Sequence, residues 1–162
     1  MKILYDHQIF ASQVYGGISR YFFELARSLN LLYTDVQCIL PLIYSNNHYI
    51  KGGKSVFTPG GDYKRIIDFD NFCLGFNFKG KWKLFQIAKK IGYIKDYYAA
   101  NKACGVKAVE SGDYDIFHPT YYDNYFLERI GKKPFVLTVY DMIHELFPHE
   151  FRCDESICRQ KK

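Results

Sequence analysis

Three segments near the start of the chain restrict its fold more than any other feature. Residues 2–6, Lys-Ile-Leu-Tyr-Asp, form an apolar run that ends on a carboxylate. Residues 17–32 repeat apolar side chains at helical spacing, with Ile18, Tyr21, Phe22, Leu25, Leu29 and Leu32 on one face. Val36 to Leu40 is a second apolar run, closed by Pro41. Strand, helix and strand within about forty residues make a βαβ unit. The handedness of crossovers then requires parallel strands. The unit predicts an α/β chain with a parallel sheet flanked by helices.

The helix of that unit begins at Tyr15-Gly16-Gly17-Ile18-Ser19-Arg20-Tyr21. Two glycines let the backbone turn sharply and let a ligand come close without meeting a Cβ. The first turn of the helix directs unpaired N–H groups and a positive dipole end into the same loop, which suits a phosphate or carboxylate. A plain structural turn is the competing reading of these residues alone.

Further along, Ser45-Asn46-Asn47, residues 51–54 and residues 59–62 read as turns, with short strands or a short helix around 55–58 and 63–69. Residues 81–109 have a helical pattern with Gly92 and Gly105 as breaks, and Trp82, Phe85, Ala88, Ile91 and Tyr98 as an apolar stripe. Lys79, Lys81, Lys83, Lys89, Lys90 and Lys95 flank it. A basic amphipathic helix of this kind suits an anionic membrane surface, through residues 79–95. The plainer reading is a solvated helix face. Asp115 to His118 is a short strand, followed by Pro119 and the loop Thr120-Tyr121-Tyr122-Asp123. Pro134 to Tyr140 reads as a fully buried parallel strand closed by Asp141. A short helix or turn over 142–148 and the start of another helix over 154–162 follow, so the chain reads as stopping within an element.

In an open parallel sheet, ligands bind at the carboxyl ends of the strands. Three polar clusters belong there: Asp6-His7 with the glycine loop, His118 to Tyr122, and Tyr140, Asp141 and His144. Other chemistries fit less well. The first loop lacks G-x-G-x-x-G, and there is no P-loop lysine motif, no G-x-S-x-G elbow and no carboxylate pair at glycosidase spacing. A net charge of +5 over 162 residues does not argue for nucleic acid. Cys38, Cys73, Cys104, Cys153 and Cys158 fit no common zinc spacing, and reduced thiols in a cytoplasmic protein account for them. No apolar run reaches membrane-spanning length. The expectation is a cytoplasmic protein, peripheral at most to the inner face of the membrane. The 15 Tyr and 14 Phe are unusually many. Such side chains fill cores, and they also line carbohydrate pockets, where a flat face and a polar tip both serve.

The opening strand with Tyr15–Tyr21, the block Asp115-Ile116-Phe117-His118-Pro119-Thr120-Tyr121-Tyr122, and the block Thr138-Val139-Tyr140-Asp141 running on to Phe147-Pro148 stand in an ordered series. Together they resemble the N-terminal domain of family 4 glycosyltransferases, which have the GT-B fold. The resemblance implies a Rossmann-like, acceptor-side domain over 1–162, incomplete at its C-terminal end, with the nucleotide-sugar domain absent. It implies retaining transfer from a nucleotide-sugar to a glycan or lipid-linked saccharide, as in polysaccharide biosynthesis, with no metal required. Gly16, Gly17 and Arg20 would face the donor diphosphate. His118, Tyr121, Tyr122 and His144 would line the acceptor side, and Tyr140 and Asp141 would stand at the catalytic position. Where the family's third block carries His, this chain has Tyr140. A phenol cannot be protonated near neutral pH as imidazole can, so a catalytic His is not carried over. On this reading the chain alone holds half of an active site and is inactive. The alternatives are a non-catalytic sugar- or membrane-binding remnant and an ordinary Rossmann nucleotide-binding domain.

Overall fold

The computed structural model describes residues 1–51, 56–58, 63–141 and Leu146. Strand β1 (Lys2–Tyr5) is the centre of a parallel sheet. It pairs on one side with β2 (Gln37–Ile39) and on the other with β3 (Ile116–His118). Single parallel bridges extend each side, Thr58 beside Ile39 and Phe135 beside Phe117. From edge to edge the order is therefore residue 58, β2, β1, β3, residue 135. The chain first builds outward from β1 in one direction, then returns to build in the other. The fold is α/β, a small open parallel sheet flanked by helices, compatible with a Rossmann-like fragment.

Alternation along β1 decides which helix packs where. Ile3 and Tyr5 point to one face and join Phe22 and Ala26 of α2 (Gly17–Leu32), Phe10, Cys38, Leu40 and Phe57. Leu4 points to the other face and joins Val109 of α5 (Tyr97–Ser111), Tyr114, Phe117, Phe126 and Ile130. Helices thus cover both faces, as a parallel sheet requires. A third, separate cluster of Phe72, Phe85, Ala88 and Ile94 lies beneath α4 (Lys81–Lys90).

Helix α2 has the span expected of it, but the buried face is turned. Ser19, Phe22 and Ala26 are its buried residues, whereas Tyr21 and Leu32 are exposed. Small residues at 19 and 26 let the helix lie close to the sheet, which apolar periodicity alone does not reveal. The loop expected over 7–16 contains a short helix, α1 (Gln8–Ser12). Ser45 and Asn47 are fully buried ties more than a turn: Ser45 Oγ donates to the Phe10 carbonyl (2.6 Å), and Asn47 Nδ2 to that of Gln13 (2.8 Å). They precede α3 (His48–Lys51). Among the described residues around 58 and 64 there are isolated bridges only, and the turns expected over 51–54 and 59–62 lie outside the described residues apart from Lys51.

The helical stretch over 81–109 is two helices. Gly92, at φ +76°, belongs to the turn after α4 and takes a conformation few other residues adopt. Asp96 caps α5, accepting the Ala99 N–H at 2.9 Å. Gly105 breaks nothing: it lies inside α5, where an added Cβ would stand 2.9 Å from Tyr125 Oη and 3.0 Å from His7 Nδ1. Of the expected stripe only Phe85 and Ala88 are buried; Trp82, Ile91 and Tyr98 are exposed.

The stretch 134–140 corrects another expectation. It runs parallel to β3, but through one bridge, and Phe135, Val136, Leu137 and Val139 are all exposed. It lies at the edge of the described sheet, paired with β3 on one side, and Phe135 on Phe126, Thr138 on His118 and Tyr140 on Phe22 tie it to the other described residues. The elements expected over 142–148 and 154–162, with His144, Cys153 and Cys158, lie outside the described residues apart from Leu146. Cys38, Cys73 and Cys104 are free thiols. Among the described residues, no helix is long and apolar enough to cross a membrane.

Candidate functional site

The order of the strands reverses beside β1, so the loops leaving β1 and β3 diverge from a shared crevice at their carboxyl ends. Asp6, the residue after β1, is fully buried there. Its carboxylate accepts the Thr120 N–H (2.9 Å), the Thr120 hydroxyl (2.5 Å), the Gln8 N–H (3.3 Å) and Gln8 Nε2 (2.5 Å). Burial outweighs these four bonds and pushes the carboxyl up to about 6. Thr120 Oγ1 also accepts the Ile9 N–H at 3.1 Å, and the Thr120 carbonyl accepts the Tyr140 hydroxyl at 2.7 Å. Thr120 thereby joins the strand ends that the sequence places 114 residues apart.

His118 and Tyr140 are held by this framework. His118 is 6% exposed; its ring stacks on Tyr5 at 5.5 Å and meets Phe22 edge-on at 5.1 Å. Its Nε2 lies 2.8 Å from Thr138 Oγ1. Burial pushes the imidazole down to about 4, so it is neutral at pH 7. Tyr140 is half-buried, and burial, foremost, with Asp6 nearby, raises its phenol well above the usual range. Phe22 also meets Tyr140 edge-on at 6.3 Å, which ties α2 to the same corner. Asp141 is exposed just beyond it.

Beside this framework opens a basin of about 430 Å³ lined by Gln8, Ser12, Tyr98, Tyr121, Tyr122, Asp123 and Asn124. Tyr121 and Tyr122 lie 4.6 Å apart by ring centroid and present flat faces there. Asp123 accepts Lys102 Nζ at 2.8 Å and the Tyr98 hydroxyl at 2.9 Å. Burial would raise this carboxyl, but those partners and the lysine charge hold it below the usual carboxylate range. The basin therefore offers a fixed anion, held by Lys102 behind it, with amide, hydroxyl and aromatic groups, the donors, acceptors and platforms that a polyol surface matches. It shares Ser12 and Tyr98 with a larger groove of about 1040 Å³ that runs between α5 and α4.

At the glycine loop, the two glycines differ. A Cβ on Gly16 would collide with the Gln13 side-chain amide at 2.4 Å. That amide reaches the Ser19 N–H at 3.4 Å, standing in for a capping side chain. At Gly17 an added Cβ meets nothing within 4 Å; the residue is exposed, as is Arg20 one turn on. So Gly16 serves the loop itself, whereas Gly17 leaves open space at the helix start. Next to them Tyr15 stacks on Tyr49 at 5.5 Å.

Sequence reasoning brought Asp6, His118, Tyr121, Tyr122 and Tyr140 to one edge of the sheet, and the structure places them there. It missed Tyr98 and Lys102, which come from α5, a helix that carries no motif, and with them the roles of Gln8 on α1 and Asp123 in the loop after Thr120. Among the described residues, no group of three or more His, Cys, Asp or Glu side chains is placed to hold a metal ion. The chain matches no protein-family model, no curated protein and no solved structure.

Proposed function

We propose that this chain is the acceptor-side domain of a retaining glycosyltransferase of the GT-B type, moving a sugar from a nucleotide-sugar to a glycan or lipid-linked saccharide. One observation carries the reading: three blocks remote in sequence converge on one crevice at a reversal of strand order, beside an aromatic, charged basin. Rossmann-like sheets place ligands at such a reversal. In this reading the acceptor ring lies on Tyr121 and Tyr122, and its hydroxyls meet Gln8 and Asp123. Asp141 stands at the reaction end. The open start of α2, with Gly17 and Arg20, faces the donor diphosphate, where N–H dipoles and a cation would stabilise the leaving-group charge. A separate domain supplies most of the nucleotide-sugar pocket, and no metal is required.

The test is an NMR titration of the chain with a neutral oligosaccharide, a nucleotide-sugar and NAD. Shifts centred on Tyr121, Tyr122 and Asp123 are expected with the oligosaccharide. Tight binding of the nucleotide-sugar or NAD by the chain alone would overturn the half-site reading. Joined to a donor domain, the protein should lose transfer on Gly17→Val. A non-catalytic saccharide-binding role is the second reading, favoured by the engagement of Tyr140 and His118 in structural hydrogen bonds. Sugar transfer by the joined protein excludes it.

A further inference from the structure

Helix α4 buries one face and leaves a second apolar face open. Lys81, Phe85 and Ala88 point into the small cluster completed by Phe72 and Ile94. That satisfies the helix's packing. Leu84, Ile87 and Ile91, spaced three and four apart, form a separate stripe that is 44–73% exposed. Just upstream, all eight residues from Cys73 to Gly80 are exposed, among them Leu74, Phe76 and Phe78. Leu74 is 90% exposed and sits at φ +58°, next to Cys73 at φ +55°. Two successive non-glycine residues in the left-handed region are strained, and here the strain presents a leucine to solvent.

Charge is distributed in a complementary way. Lys79, Lys83, Lys89, Lys90 and Lys95 are exposed, and no acidic residue occurs from 71 to 95. Lys81 does not belong with them, against the sequence expectation. It is buried, its ammonium 3.3 Å from the Asp70 carbonyl and 4.8 Å over the Phe69 ring, and it fastens the upstream turn to α4. On the helical wheel Lys83 and Lys90 border the Leu84–Ile87–Ile91 stripe on the side away from the small core, whereas Lys89 lies across the helix, over the Phe85 ring. Lysine is depleted in protein–protein interfaces, whereas apolar side chains interspersed with exposed lysines suit the headgroup boundary of an anionic bilayer.

We propose that the α4 face of Leu84, Ile87 and Ile91 docks on an anionic lipid bilayer, with these side chains entering the headgroup boundary and Lys83 and Lys90 beside them against its phosphates. The docking itself does not depend on the sugar-transfer reading.

Trp82, the sole tryptophan of the chain, lies across α4 from the stripe, against Phe69 and Phe85, so its fluorescence does not report insertion of the face. The experiment mixes the full chain with vesicles of phosphatidylcholine alone and with vesicles of equal parts phosphatidylcholine and phosphatidylglycerol, reading co-sedimentation. Co-sedimentation with the anionic vesicles, weakened by salt, is expected. Each lysine near an anionic surface strengthens binding by about fivefold, so Lys83→Gln with Lys90→Gln should weaken it by about twenty-five-fold. Leu84→Ser with Ile87→Ser and Ile91→Ser should abolish co-sedimentation while leaving the circular dichroism spectrum unchanged, because these side chains are exposed. Absence of co-sedimentation with the anionic vesicles overturns the proposal. So does retention of full binding by the triple serine variant. A dimer in lipid-free sedimentation velocity that the triple serine variant loses would assign the face to a second copy of the chain and likewise overturn it. None of these outcomes bears on oligosaccharide binding at Tyr121 and Tyr122.

Discussion

His7 is fully buried, and neither ring nitrogen has a hydrogen-bond partner among the described residues. Its neighbours are the rings of Tyr98 (6.0 Å) and Tyr125 (5.7 Å) and the Cβ-free side of Gly105. Burial, foremost, pushes the imidazole from 6.5 down to about 4, so it stays neutral in the fold and takes a proton readily only when unfolded. Between those two values the unfolded state holds more protons, so stability falls as pH falls. At 1.36 kcal/mol per pH unit, the 2.5-unit window makes the loss about 3 kcal/mol from pH 7 to pH 4. His7→Phe keeps the ring, removes the titration and removes two unpartnered nitrogens, which cost about 1–3 kcal/mol when buried. The variant should therefore be at least as stable as the parent at pH 7, and its advantage should widen by about 3 kcal/mol at pH 4. In urea, with a slope of about 2 kcal/mol per molar, the difference between the two midpoints should grow by about 1.5 M over that range. Asp6 titrates with the opposite sign: its raised value makes a stability contribution that is full below 3.8 and is lost as pH rises through about 6. It is present in both proteins and cancels in the comparison, as does His118. Parallel pH profiles for variant and parent would refute the reasoning. So would a variant clearly less stable at pH 7, which would mean the nitrogens have partners.

Two further substitutions probe the strand-end framework. Thr120→Val leaves Asp6 short of a donor and strands the Ile9 N–H; a loss of about 2–3 kcal/mol is expected in urea unfolding, larger at pH 7 than at pH 4 because the orphaned group is then a carboxylate. Tyr140→Phe keeps the ring contacts and removes one bond to the Thr120 carbonyl, so a loss of about 1 kcal/mol should accompany faster amide exchange over 138–141.

The parallel βαβ opening was readable because its signals are local: an apolar run, a helical period and a second run. Gly92 marked the end of α4 for the same reason. Gly105 carried the same letter with another meaning, since its lack of a Cβ is spent on a close approach to His7 and Tyr125 that no window of sequence contains. Lys81 read as one of a row of surface cations, but the Phe69 ring and the Asp70 carbonyl draw it inward. The run 134–140 has the composition of an interior strand, yet interior position depends on neighbours, and the described sheet gives it one. At the candidate site the polar strand ends were visible from the strands themselves. Asp123 and Lys102 were not, because their pairing joins a loop to a helix whose pattern shows a helix but carries no motif for a site.

The bond between Asp6 and Thr120 also has a consequence for how the chain is made. On a ribosome, β1 emerges before the rest of this sheet, and one of its two neighbouring strands and the hydroxyl that satisfies Asp6 follow about 114 residues later. At about 5–20 residues per second, β1 waits roughly 6–23 s before its second side is covered. Until then the nascent chain carries an exposed edge of Ile3, Leu4 and Tyr5 and an unsatisfied carboxylate. The strand at the centre of the sheet, made before its neighbours, is thus among the last to be locked in place.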